Sequence, residues 1–185
     1  MMNVQYLSRT AAIAALTCLA GMILRWVSPA LVPFSILPVM VLLSGIILGA
    51  KYGALAMTVY VVLGLFGLPV FANPPFGGLA YLAKPSFGFI LGYIGAAYVV
   101  GKIYRPQKFW TAVLAVLMGL VVLYIVGLSY LYAMMRWVLH KPTSLSLVLA
   151  IGFLPFIVSD LIKAGIAAWV GNRVVRSRAN LNKGD

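Results

Sequence analysis

Residues 158–171 read VSDLIKAGIAAWVG, and they set an acid, Asp160, and a base, Lys163, three positions apart in an otherwise apolar run. At 3.6 residues and 5.4 Å per turn, positions i and i+3 of a helix share one face. A charge held within a bilayer costs about 2.5–3.5 kcal/mol on insertion scales, so such residues usually turn toward a protein interior and mark a substrate or ion path. The pair is the leading candidate site. A second reading treats it as a structural ion pair that fixes the rotation of the helix, although a buried pair is weak evidence for stability.

The rest of the chain sets that pair in a membrane. Of 185 residues, 64% are hydrophobic and 9% charged, with a mean hydropathy of +1.07; soluble domains are nearer 45–50% apolar. Fourteen Lys and Arg against two acids give a net charge of +12. The bases lie mostly between apolar segments, where they orient a membrane protein and meet anionic head groups rather than nucleic acid. Cys18 is the sole cysteine, so no intrachain disulfide and no thiol metal cluster is expected. The run after Arg9 is expected to be a first helix and not a secretory or lipoprotein signal.

A span needs about 20 apolar residues, and six candidates stand out: 9–27, 35–50, 53–68, 87–104, 109–135 and 146–171. The expected class is an all-α polytopic membrane protein, one membrane domain over 1–185. Segments two and three are short and separated only by Lys51-Tyr52-Gly53, so one is expected to be tilted, partly re-entrant or buried in protein. With both termini in the cytoplasm, Arg9, Lys51, Lys102, Arg105, Lys108, Arg173, Arg176, Arg178 and Lys183 fall inside. Arg25, Lys84, Arg136 and Lys141 fall outside, and Lys163 stays in the membrane. The inward excess favours that orientation in a bacterial cytoplasmic membrane.

The longest connection, LPVFANPPFGGLAYLAKPS at 68–86, is broken by Pro69, Pro74, Pro75 and Pro85 yet carries Phe71, Phe76, Leu79, Tyr81 and Leu82. It is too apolar for a solvated linker and reads either as a binding loop over a cavity or as a plug packed on helix ends. Pro29, Pro33 and Pro38 interrupt the chain after Arg25 and Trp26, so two irregular outer segments would roof one cavity.

GLPVFANPPFGGLAYLAKPSFGFILGYIGAA and FLPFIVSDLIKAGIAA together resemble the signature of the BioY family, the biotin-specific S components of energy-coupling factor (ECF) transporters. The residues that carry the likeness are Gly67-Leu68-Pro69-Val70-Phe71, Gly77-Gly78, Lys84-Pro85-Ser86-Phe87-Gly88-Phe89, and Asp160 with Lys163. Lys84, Ser86 and Phe89 stand where the family turn has Gly, Thr and Tyr, and Pro38 stands where a Gln is expected. The resemblance implies a six-helix S-component bundle that captures biotin from outside. It also implies docking to a transmembrane coupling protein and two ATPase subunits.

For a ligand with a ureido ring, an apolar thioether ring and a valerate chain, the residues divide by hydrogen-bonding capacity. Asp160 accepts and Lys163 donates; Asn73 offers both, Ser86 a hydroxyl, and Tyr81 or Tyr93 an aromatic wall with a polar tip. The valerate carboxylate has no clear partner: Lys84, Arg25 or backbone N–H groups near Gly77 and Gly78 are the options. Ala11 and Ala15 form a small-xxx-small stripe, which the family likeness assigns to partner docking. No cofactor or metal is expected. No H-E-x-x-H, G-x-S-x-G or phosphate-loop motif occurs and His140 is the sole histidine, so an enzyme reading lacks its chemistry. The competing class is an autonomous secondary transporter in which Asp160 carries a proton.

Overall fold

A computed structural model of the chain describes residues 4–24, 35–106 and 108–181, with side chains to residue 177. Helix α1 spans Val4–Leu24 and turns Thr10, Ala14, Thr17 and Gly21 inward, a spacing of three and four that makes one helical stripe. The Thr10 and Thr17 hydroxyls donate to the carbonyls of Tyr6 (2.7 Å) and Ile13 (2.8 Å), so burying them leaves no orphan donor. Ala11 and Ala15 lie on the opposite, exposed face.

Segments two and three form a single element, α2 (Leu37–Leu65), broken at Gly49. That residue has φ 77° and ψ 179°, a conformation open to glycine but strained for other residues. A Cβ on Gly53 would sit 2.9 Å from the Ser44 carbonyl oxygen. Nine residues of straight helix would separate those positions by about 13 Å, so limb 50–65 folds back along limb 37–48. The turn lies at Gly49 and not at Lys51-Tyr52-Gly53.

Helix α3 (Phe87–Ile103) and α4 (Phe109–Ala133) approach closely at glycines: an added Cβ would fall 2.2 Å from Tyr130 at Gly88, 3.1 Å from Leu123 at Gly92 and 3.5 Å from the Ala96 carbonyl oxygen at Gly119. Small residues allow the close backbone approach on which helix association in lipid depends. A π-helical turn, Met134–Val138, ends α4. The segment expected at 146–171 is two helices, α5 (Leu145–Gly152) and α6 (Leu154–Leu181), parted at Phe153. Pro155 sits in the first turn of α6, where its missing N–H has no intrahelical role. By length and composition α1, α4 and α6 can each cross a membrane, whereas α2 meets the same measure only over its full 29 residues, both limbs counted; with α2 doubled back and α5 joined to α6, the six expected segments each find a helical counterpart.

The bundle has two different ends. At one, the Tyr6 and Tyr52 rings stack 5.1 Å apart, Tyr104 Oη donates to Asn172 Oδ1 at 3.1 Å and Arg176 Nε donates to the Pro106 carbonyl at 3.1 Å. At the other, the connection 66–86 folds down onto the helices. Val70, Phe71 and Tyr81 are buried, and the Phe71 ring lies against Gly64, where a Cβ would fall 2.2 Å from it. A short 3-10 turn, Leu79–Ala83, is tied to α4 by the Tyr130 hydroxyl donating to the Leu82 carbonyl. Arg25, Trp26, Pro29 and Pro33 lie outside the described residues.

Candidate functional site

Asp160 stands about two turns into α6, on the face turned toward α4 and α3. The break between α5 and α6 leaves the two helices running on one after the other along α4, so Asp160 meets α4 near its middle, at Tyr124. Asp160 is 5% exposed and Lys163 8%, and Lys163 Nζ donates to Asp160 Oδ1 at 2.9 Å. From α4, Tyr124 Oη donates to the other oxygen, Oδ2, at 2.7 Å. Each carboxylate oxygen has two lone-pair sites. Both are thus engaged and both retain acceptor capacity.

The pair opens on a cavity of about 530 Å³, a size that suits a small organic ligand. Asp160, Lys163, Tyr124 and Tyr93 form its deep end, and Tyr60, Phe89, Ile90, Leu123 and Phe156 contribute to its walls. Asn73, Phe76, Tyr81, Pro85 and Ser86 of the 66–86 connection cover the other end. That connection is at once anchored in the core and a cover over the cavity, which joins the two readings the sequence left open.

The aromatic walls are held by one another. Tyr60 meets Phe71 edge-on at 5.7 Å, Phe71 packs on Tyr81 at 4.5 Å, and Tyr124 meets Phe89 and Phe153 edge-on at 6.3 and 4.9 Å. Such contacts fix ring orientation beyond simple burial. Tyr60 Oη donates to the Val70 carbonyl at 3.2 Å, tying α2 to the cover. Burial pushes the Tyr81 phenol above its ordinary range, opposed by hydrogen bonds with Ser86 and Asn73, so at neutral pH it remains a hydroxyl.

Of the residues singled out from sequence, Asp160, Lys163, Asn73, Tyr81, Ser86 and Tyr93 all line this cavity. Gly78 does not: its φ is 86° and its N–H is committed to the Gly64 carbonyl at 2.7 Å. Lys84 is exposed and absent from the lining, and Arg25 lies outside the described residues. Tyr124, Tyr60 and the Phe89 ring were not anticipated as site residues. The one available signal for Tyr124 was its register, one turn from Leu120 and three residues before Gly127 on the inward face of α4. Among the described residues, no group of three or more His, Cys, Asp or Glu side chains stands together to hold a metal.

The sequence profile of the BioY family matches residues 1–180. The chain is 38% identical over 152 residues to the "Biotin transporter BioY" of Thermotoga maritima, covering 80% of this chain and 85% of that one. It is 35% identical over 150 residues to the "Probable biotin transporter BioY" of Lysinibacillus sphaericus, covering 79% and 75%. Among solved structures, an S-component for biotin from an ECF-type ABC transporter superposes with a TM-score of 0.74 at 25% identity, over 95% of both chains.

Proposed function

The chain belongs to the BioY family, and on that premise we propose that it is the biotin-capturing S component of an ECF-type vitamin uptake transporter, with Asp160 and Lys163 as its recognition pair. It is a multi-pass membrane protein of a transporter family. The observation that carries the residue assignment is the position of a bonded Asp–Lys pair at the deep end of a cavity otherwise walled by aromatic and aliphatic groups.

The chemistry of the pair suits a cyclic urea. On one edge of the ureido ring an N–H donor and the carbonyl acceptor lie side by side. Asp160 Oδ1 and Lys163 Nζ, 2.9 Å apart, offer the complementary acceptor and donor side by side. The carboxylate takes the ureido N–H in a charge-assisted bond, and the ammonium donates to the ureido oxygen. Tyr124 holds the second carboxylate oxygen and so fixes the plane of the acceptor. Tyr60, Tyr93, Phe89 and Phe156 sheathe the thioether ring and the valerate methylenes. Asn73, Ser86 and Tyr81 are the polar groups of the cover that face the outer end of the ligand.

Energy for uptake comes from a transmembrane coupling protein and two ATPase subunits, and the exposed face of α1 bearing Ala11 and Ala15 is the docking face. The membrane is the bacterial cytoplasmic one, with both termini on its inner side. Supporting that orientation, Arg9, Lys51, Lys102, Arg105, Lys108, Arg173 and Arg176 gather at the uncovered end of the bundle, against Lys84, Arg136 and Lys141 at the covered end. The cavity cover then faces outward, toward incoming vitamin.

Calorimetric titration of the detergent-purified chain with biotin tests the reading. Saturable binding at one site without proton uptake supports capture. Proton-coupled flux by the chain alone in liposomes would instead assign it to the autonomous carriers.

A further inference from the structure

A second hollow, of about 1140 Å³, lies on the far side of Tyr124 from the first, between α4 and the α5–α6 pair. Its walls are aliphatic for most of their length, with Leu120, Val121, Leu149, Ile157 and Leu161 among them. Hydroxyl groups occur at one end, from Ser129, Tyr132, Thr143 and Ser144. That end adjoins the π turn and the strand of chain leading to α5. Trp137, 67% exposed, edges it, and the exposed Arg136 and Lys141 stand beside it, the Lys141 backbone N–H donating to the Met135 carbonyl at 3.0 Å.

Among the described residues Asp160 is the only carboxylate side chain, and it is bonded to Lys163 and Tyr124. Arg136 and Lys141 therefore have no described acidic side chain to meet. A groove that is apolar along its length, hydroxylated at one end and capped there by two cations matches the layout of an anionic phospholipid. The Trp at the same level fits the aromatic belt of a membrane interface.

We propose that this groove seats one acyl chain of an anionic phospholipid whose phosphate is held by Arg136 and Lys141. The chain lies along Leu149, Ile157 and Leu161, and its upper methylenes pass the Tyr132 and Ser144 hydroxyls. Tyr124 belongs to the walls of both hollows, so the seated lipid forms the outer backing of the ring whose hydroxyl holds Asp160.

Native mass spectrometry of the purified chain, titrated with phosphatidylglycerol or with phosphatidylcholine of the same acyl chains, tests the proposal. The expected result is preferential retention of phosphatidylglycerol, with the preference falling about fivefold for each of Arg136→Gln and Lys141→Gln. Leu149→Trp, which fills the groove, lowers retention of both lipids. Both charge variants are at exposed positions, so their fold is not in question if Leu149→Trp expresses poorly. Equal retention of the two lipids by the wild-type chain overturns the proposal. So does a lipid-free dimer that Leu149→Trp dissociates, since a second copy of the chain would then occupy the groove.

Discussion

Tyr124 on α4 and Asp160 on α6 are joined by a 2.7 Å hydrogen bond across the deep end of the cavity. With Lys163 on the other oxygen, the carboxylate is held from two sides before any ligand arrives. Preorganisation of this kind lowers the ordering cost of binding.

Tyr124→Phe removes the donor and leaves a buried oxygen short of one bond, a loss of about 1–3 kcal/mol. The variant should melt earlier in detergent than the wild type, and biotin should still raise its melting temperature, but by less. An undiminished biotin-induced shift would mean that Tyr124 supports the fold and does not position the acceptor.

Lys163→Ala should cost more than a lost ligand contact, because breaking a buried pair from one side is destabilising by about 3–5 kcal/mol. The double variant Asp160→Asn/Lys163→Met removes the uncompensated charge and should recover much of that stability while binding no biotin. Thermal unfolding and titration on the same samples separate the two effects. Biotin binding by the double variant would reduce the pair to a structural ion pair.

Gly64 faces the Phe71 ring so closely that an added methyl would lie 2.2 Å from it. Gly64→Ala should therefore push Phe71, and with it the cavity cover, off its seat, at the about 1–3 kcal/mol typical of overpacking. Biotin dissociation should accelerate more than association slows. A stopped-flow measurement giving unchanged dissociation would separate the cover from ligand retention.

Ala11→Leu and Ala15→Leu enlarge two exposed residues on one face of α1. Biotin binding by the isolated protein should be unaffected, and ATP-dependent uptake in cells carrying the partner subunits should fall sharply. Uptake at the wild-type level would remove this face from partner docking.

Much of this architecture was legible because the physics is local. Asp160 and Lys163 stand out as ionised side chains in an apolar run, and their spacing alone predicts one face. The segments 87–104 and 109–135 match α3 and α4 within two residues at each end, since long apolar runs bounded by Lys, Arg and Pro leave little choice. The turn in α2 was misplaced because Gly45, Gly49 and Gly53 recur every four residues in similar surroundings; only tertiary packing selects Gly49 for the positive φ. The α5–α6 break at Phe153 was passed over although Pro155 marks it, since a continuous apolar segment reads as one span. Tyr124 was invisible for a related reason: a tyrosine in an apolar helix declares its hydroxyl partner only once α4 and α6 are side by side.

The most direct test of the recognition pair is the Kd of biotin for wild-type protein and Asp160→Asn, measured by calorimetry on samples of equal helicity and monodispersity. Exchanging a charge-assisted acceptor for a neutral amide should weaken binding by about 1.5–3 kcal/mol, or roughly 10- to 150-fold. An unchanged Kd in the well-folded variant would contradict the assignment of Asp160 as the group that grips the ligand.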